Sequence, residues 1–92
     1  MKGIDGFSRD EFEALAWTER LGSVERAAER MGCSADGVRV LIRSLEYRLS
    51  MKFFEQGDIA ETLTPEGVIV ARHASIVLEQ LDKIMVGYVA LE

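Results

Sequence analysis

The 92-residue sequence contains one cysteine, Cys33, and one histidine, His73, and this scarcity excludes several classes of site. A single cysteine cannot form a disulfide within the chain, and one cysteine with one histidine cannot complete a zinc site. We interpret Cys33 as a partly buried thiol in a turn, with redox sensing as the alternative, and His73 as a surface residue. Since no nucleophile–base pair or phosphate-binding loop can be assembled, we expect neither an enzyme nor a cofactor or metal site.

Long apolar runs are also missing. No stretch reaches the ~18 apolar residues that a membrane span requires, and residues 1–6 lack the apolar segment of a signal peptide. We therefore expect a chain in the reducing cytoplasm with no membrane partner. The length suffices for one small domain, whose marginal core would gain stability from oligomerisation.

The chain has no excess of basic residues, and its net charge of −5 is unfavourable for a protein that binds nucleic acid. The distribution of charge is more informative than its total. Residues 34–56 contain four basic and three acidic side chains, whereas residues 57–92 contain two basic and six acidic ones. The middle segment is thus the only part of the chain that is not acidic.

Serine and glycine divide the first half of the sequence into three predicted helices. Residues 8–11 read Ser-Arg-Asp-Glu, a capping box, and Gly22 ends the first helix. Ser23 is the N-cap of a second helix that ends at Gly32, and Ser34 is the N-cap of a third. Apolar residues recur at helical spacing in each segment: Phe12, Leu15, Ala16 and Leu21; Val24, Ala27, Ala28 and Met31; Val38, Ile42, Leu45 and Leu49. The two-residue connection between the second and third helices is typical of a helix-turn-helix unit.

Residues 52–55 and 61–63 are short strand-like runs on either side of Gln56-Gly57-Asp58, a sequence with turn chemistry. They predict a two-stranded β-wing. Residues 64–66, Thr-Pro-Glu, then begin a helix, with threonine as N-cap and proline in the first turn. We therefore predict a mainly α fold, with a winged helix-turn-helix domain over residues 1–64 and a linker and dimerisation helix over residues 65–92.

The last helix carries an apolar seam at alternating spacings of four and three, as in a coiled coil. At 1.5 Å per residue, about 25 residues span roughly 38 Å, which exceeds the size of so small a domain. We expect the seam to pair with a second copy in a homodimer, with packing against its own domain as the alternative. The predicted dimerisation residues are Val70, Ala74, Val77, Leu81, Ile84 and Tyr88.

Three segments in order carry a resemblance to a known family. Residues 22–34 read GSVERAAERMGCS, residues 42–46 read IRSLE, and residues 63–67 read LTPEG. Together they resemble the signature of the LysR-type transcriptional regulators over about residues 7–90. The resemblance implies three helices, a wing and a paired linker helix, and it implies promoter binding as a dimer or higher oligomer. We expect small-molecule sensing to lie in the effector-binding domain that the family places after this helix.

The third helix would be the recognition helix of such a domain, with its first turn in the major groove. Arg39 can donate to guanine or phosphate, Arg43 retains the family's basic residue, and Ser34 can hydrogen-bond a phosphate. We expect Arg26 and Arg30 to pair instead with acidic residues of their own helix. The predicted DNA-binding residues are Ser34, Ala35, Asp36, Arg39, Val40, Arg43 and Gln56.

The predicted reading surface departs from the family pattern. The resemblance implies glutamine at Ala35, a basic residue at Val40 and arginine at Gln56, and the loss of basic contacts weakens non-specific affinity. One interpretation is an unusual target, with Asp36 accepting from a cytosine amino group and Val40 touching a thymine methyl. The alternative is a protein-interaction or antagonist module that uses exposed Val40 and Leu41, or pairs its linker helix with another regulator.

Overall fold

The computed structural model describes residues 8–91 of the chain, and the side chains of residues 8–86. Within this range the chain forms four helices: α1 (Arg9–Leu21), α2 (Val24–Met31), α3 (Ala35–Leu49) and α4 (Pro65–Leu91). The predicted mainly α fold is confirmed. Residue Tyr88, assigned to the dimer seam by the sequence pattern, has a side chain outside the described set.

The predicted helix boundaries follow from caps that the structure contains. The Ser8 hydroxyl accepts from the Glu11 N–H, and the Glu11 carboxylate accepts from the Ser8 N–H at 2.9 Å, which completes the capping box. At the start of α2 the Ser23 hydroxyl accepts from the Arg26 N–H, and at the start of α3 the Ser34 hydroxyl accepts from the Gly37 N–H. Gly22 ends α1 with φ +88°, a backbone conformation that glycine adopts without steric cost.

A single core lies between α1 and the other three helices, with which α1 packs. The apolar faces predicted for the first three helices supply most of it. Phe53 is also completely buried, although it lies in the connection after α3. The fully buried large side chains are Leu15, Val24, Val38, Ile42, Leu45 and Phe53.

The predicted two-stranded wing is reduced to a single antiparallel bridge between Phe54 and Leu63 within the described residues. One hydrogen bond on each side of the bridge supports the pairing. One of the two runs from the Glu55 N–H to the Thr62 carbonyl at 2.8 Å. The pairing is this short because of the backbone that connects the two predicted strands. Glu61, predicted to begin the second strand, has φ +58° and follows a turn closed by its N–H on the Asp58 carbonyl. A left-handed residue cannot continue an extended ladder.

Helix α4 divides into two parts along its length. Near its start Ala71 and Ala74 are buried against the rest of the domain, and Val70 packs at the edge of the core. Farther along, apolar side chains are exposed, including Val77 and Leu81. Within the residues that the structure describes, no helix combines the length and the apolar character that crossing a membrane requires.

Candidate nucleic-acid interface

The turn between α2 and α3 presents the start of α3 at the surface. The Gly32 N–H and the Cys33 N–H both donate to the Ala28 carbonyl, which folds the chain back after α2. This arrangement uses the backbone of Cys33 and leaves the residue exposed. The expectation of a partly buried thiol is therefore wrong. Ser34 then caps α3 and is itself exposed, and its hydroxyl accepts the Gly37 N–H of the first turn.

The predicted DNA-binding side chains differ in their exposure. Asp36 and Arg43 are exposed, as is Gln56 in the wing, and Val40 is 66% exposed. Ala35 is half-buried and packs against the core, so little of its side chain is available to a ligand. Tyr47, which also points outward from α3, adds an exposed aromatic ring one turn beyond Arg43.

Leu41 is half-buried against the core, whereas its neighbour Val40 is exposed. The exposed aliphatic pair that one form of the protein-interaction hypothesis uses is therefore absent from α3. Val40 remains as an isolated apolar side chain, and single exposed apolar residues are common on protein surfaces.

Arg39 is bound by three carboxylates from three parts of the fold. Its Nε and Nη2 donate to the two oxygens of Glu61 at 2.7 and 2.9 Å, which is a bidentate pair. Its Nη1 donates to Asp36 at 2.8 Å, and Nη2 also donates to Glu25 at 3.0 Å. We refer to Glu25, Asp36 and Glu61 as the acidic cluster. It connects α2, α3 and the wing through one guanidinium.

These contacts shift the protonation equilibria of the bidentate pair. The hydrogen bond from Arg39, and then its charge, hold the pKa of Glu61 below its ordinary value. The hydrogen bond to Glu61 raises the pKa of Arg39 above its ordinary value, although partial burial opposes this. Both shifts favour the charged forms. Arg39 and Glu61 therefore remain an ion pair throughout the neutral pH range.

An open cleft of about 620 Å³ lies between α3 and the wing. Arg43 and Lys52 face it, and neither forms an ion pair within the described part of the chain. The carboxylate of Glu46, which also lines the cleft, accepts the backbone N–H of Phe53 at 2.7 Å. Arg43 and Lys52 are therefore the cations at this face that are available to a phosphate. Sequence analysis did not single out Lys52, because the connection after α3 that places it in the same cleft as Arg43 is not apparent from spacing.

The residues from α1 to the first turn of α4 match a family description. Residues 10–68 match the family described as "Bacterial regulatory helix-turn-helix protein, lysR family". The chain belongs to this family. The resemblance stated from the sequence is thereby confirmed, and the family is one of regulators rather than enzymes.

Relatives of this lysR-family domain include a probable RuBisCO transcriptional regulator from Porphyra purpurea. It is 29% identical over 72 residues, which cover 78% of this chain and 23% of the relative. The chain thus spans about a quarter of that protein's length. A full-length OxyR variant from Pseudomonas aeruginosa is 30% identical over 91% of this chain and 28% of its own, with a TM-score of 0.83.

Two further solved structures share the fold of this lysR-family domain at lower identity. The BenM DNA-binding domain, solved with catB site 1 DNA, has a TM-score of 0.82 at 19% identity and covers 92% of this chain and 94% of its own. DarR from Vibrio fischeri, also solved with DNA, has a TM-score of 0.81 at 17% identity, covering 94% of this chain and 30% of its own. These matches confirm the winged helix-turn-helix fold.

The basic residues of α2 in this lysR-family domain do not pair as predicted. The guanidinium of Arg30 lies 4.6 Å from the centre of the Trp17 ring, and that of Arg20 lies 5.7 Å from it. Within residues 8–86, neither Arg26 nor Arg30 forms an ion pair with the acidic residues of α2. The indole face of Trp17, on the adjacent helix α1, provides Arg30 with a cation–π contact instead.

Proposed function

We propose that this domain binds double-stranded promoter DNA as a homodimer and thereby regulates transcription. The observation that carries the proposal is the start of α3, which follows a tight helix-turn-helix connection and exposes Asp36 and Val40. It lies beside Arg43 and Lys52, two cations that form no ion pair among the described residues. A recognition helix enters the major groove with its first turns, while flanking groups hold the phosphates. The DNA complexes of BenM and DarR, which share this fold, support the same use here.

The proposed contacts divide into phosphate and base contacts. Arg43 and Lys52 would neutralise phosphates on the wing side of α3, and Gln56 would donate to the backbone from the wing turn. Ser34, with the N–H groups of the first turn, would bind a phosphate at the start of α3. Val40, exposed in the middle of the reading surface, would contact a thymine methyl group. The comparisons do not favour the protein-interaction alternative.

The proposed dimer uses the part of the seam that its own domain leaves uncovered. Val77, Leu81 and Ile84 are exposed and lie along one side of α4. Ala74 is only 2% exposed, and Val70 packs against the core, so these two residues would support the dimer by positioning α4 rather than by direct contact. Two domains joined in this way would bind two half-sites along one duplex.

A titration of the folded protein with a random duplex, followed by fluorescence anisotropy, tests DNA binding. Non-specific dissociation constants of DNA-binding proteins lie at about 1–100 µM at physiological salt, so the titration extends beyond that range at low salt. Arg43→Ala should weaken binding and reduce the dependence on salt by about one phosphate contact per protomer. Arg72→Ala, which removes an exposed arginine of α4, is the matched control and should change neither. No binding by a folded dimer at about 100 µM would contradict the proposal.

A further inference from the structure

Arg39 occupies a position from which a recognition helix would donate to DNA, but four hydrogen bonds within the protein already engage its guanidinium, which has five N–H groups. All three of its nitrogens donate to the acidic cluster, at distances between 2.7 and 3.0 Å. Its side chain is only 27% exposed, in contrast to the exposed Arg43 one turn along the same helix. A guanidinium bound in this way has little donor capacity left, and a bidentate contact with a phosphate or a guanine requires it to leave a carboxylate.

Glu61 is the dominant member of the acidic cluster. It supplies both oxygens to Arg39, and its side chain is 23% exposed, whereas those of Glu25 and Asp36 are 67% and 91% exposed. Isolated exposed ion pairs contribute little to the stability of a fold, because solvent and salt screen them. A bidentate pair with a less exposed carboxylate keeps its geometry better and is the contact that has to break before Arg39 can move.

The backbone of Glu61 also points to a specific arrangement. Glu61 adopts φ +58°, a left-handed conformation that is uncommon outside glycine and asparagine. This conformation places its carboxylate against Arg39 and ends the wing ladder at Leu63. One positive charge thus faces three negative charges at the first turns of α3. This part of the surface repels phosphate although it contains an arginine.

We infer, on the basis of the proposed DNA-binding function, that Glu61 sets the DNA affinity of this domain by withholding Arg39 from the phosphate backbone. Arg43 and Lys52 carry the phosphate contacts in the protein as it stands, and Arg39 holds the wing against α3. Removal of the Glu61 carboxylate releases Arg39 into the cleft between α3 and the wing, where its guanidinium adds a contact to a DNA phosphate.

Glu61→Gln and Glu55→Gln test this inference as a matched pair. Each removes one negative charge from the wing, but Glu55 is exposed and does not touch Arg39. Binding of a random-sequence duplex is measured by fluorescence anisotropy at several salt concentrations. Lowering the salt concentration from about 200 to 50 mM increases the affinity for DNA, and one extra phosphate contact makes that ratio of affinities roughly threefold larger. We expect the larger ratio for Glu61→Gln and not for Glu55→Gln.

Two further variants separate release of Arg39 from a general change of charge. Arg39→Ala alone should change the slope of affinity against salt less than Arg43→Ala does. Arg39→Ala combined with Glu61→Gln should lose the gain of Glu61→Gln, because the released group is missing. Glu61→Asn serves if the glutamine variant folds poorly, since asparagine suits a left-handed backbone and is shorter than glutamate. Circular dichroism establishes that each variant is folded.

The outcomes distinguish the inference from the proposed function. Binding by the wild-type protein, with equal effects of Glu61→Gln and Glu55→Gln, overturns the inference and leaves DNA binding intact. Weaker DNA binding by Glu61→Gln than by the wild type also overturns the inference and leaves DNA binding intact, since Glu61 would then support the interface. Failure of both the folded wild type and the folded Glu61 variants to bind overturns the inference together with the proposed function.

Discussion

A Cβ atom on Gly67 would lie 2.6 Å from the carbonyl oxygen of Phe53, and only glycine fits at this point. The same carbonyl accepts the Thr64 N–H at 2.8 Å, and the Phe53 N–H donates to Glu46 of α3 at 2.7 Å. The backbone of Phe53 is therefore held between the end of α3 and the first turn of α4. This contact fixes the direction in which the long helix leaves the domain.

Gly67→Ala should destabilise the domain by about 1–3 kcal/mol, the usual cost of forcing an extra carbon into a packed site. Neither partner can move easily, because both are backbone atoms with hydrogen bonds of their own. The free energy of unfolding in urea measures the effect. His73→Ala, an exposed change on the same helix, is the control. Equal stability of the two variants would show that the approach of Gly67 to Phe53 is not fixed.

Local signals account for the part of the fold that the sequence predicted. Ser8 with Glu11, Ser23 and Ser34 each act within three residues of their partners, and the glycine at position 22 ends the first helix where spacing predicted it. Such contacts do not depend on the rest of the fold. The helix boundaries and the apolar faces could therefore be derived from pattern alone.

Contacts between distant segments account for what the sequence did not reveal. Arg39 and Glu61 are separated by 22 positions, and only the folded wing brings them together. The left-handed conformations of Ser50, which ends α3, and of Glu61 have no strong local signal, because neither is glycine or asparagine. Reasoning from the helical wheel placed Arg39 on the outer face of α3 but could not show that three carboxylates bind its guanidinium.

Glu11 should be more important for stability than an ordinary residue in a first helical turn. Its side chain is almost fully buried, accepts the Ser8 N–H and lies 3.3 Å from the Nε atom of Arg48 on α3. Glu11→Ala removes one half of a capping box and should cost about 1–2 kcal/mol. Glu11→Gln retains an acceptor for the Ser8 N–H and should cost less.

Asp10→Ala is the control for Glu11→Ala, because Asp10 is exposed in the same turn and shares the favourable position near the helix N-terminus. Thermal and urea unfolding of the three variants would rank them. A loss for Asp10→Ala as large as that for Glu11→Ala would mean that burial and the contact with Arg48 contribute nothing.

Acid should destabilise the wing through Glu61 and Asp58. The hydrogen bond from Arg39 lowers the pKa of Glu61, and hydrogen bonds from Thr62 and from the Ala60 N–H lower that of Asp58. A carboxylate whose pKa is lower in the folded state than in the unfolded state stabilises the fold at pH values above its ordinary pKa. That contribution is lost as the pH falls through the lowered folded value.

The unfolding free energy should therefore decrease below the ordinary glutamate pKa near 4.5, and Glu61→Gln should flatten this decrease. The measurement is urea unfolding at a series of pH values from neutral downward. Glu55→Gln, for which no contact with Arg39 exists, should leave the curve close to that of the wild type. A curve for Glu61→Gln as steep as the wild-type curve would show that the pair with Arg39 does not stabilise the fold.

Ile84→Lys should shift the proposed dimer towards monomer, whereas Val86→Lys should not. The two side chains are 63% and 69% exposed, so either substitution places a charge on a side chain that the single domain leaves uncovered. At 3.6 residues per turn, two positions along a helix are about 200° apart, and Val86 lies on the side of α4 opposite to the seam. A lysine at position 84 would be buried against the second copy without a partner, which is unfavourable.

Sedimentation analysis at several concentrations measures the association of the two variants directly. Since two linked domains bind one duplex more tightly than either alone, Ile84→Lys should also weaken DNA binding more than Val86→Lys does. Equal association of the two variants would contradict pairing through Val77, Leu81 and Ile84.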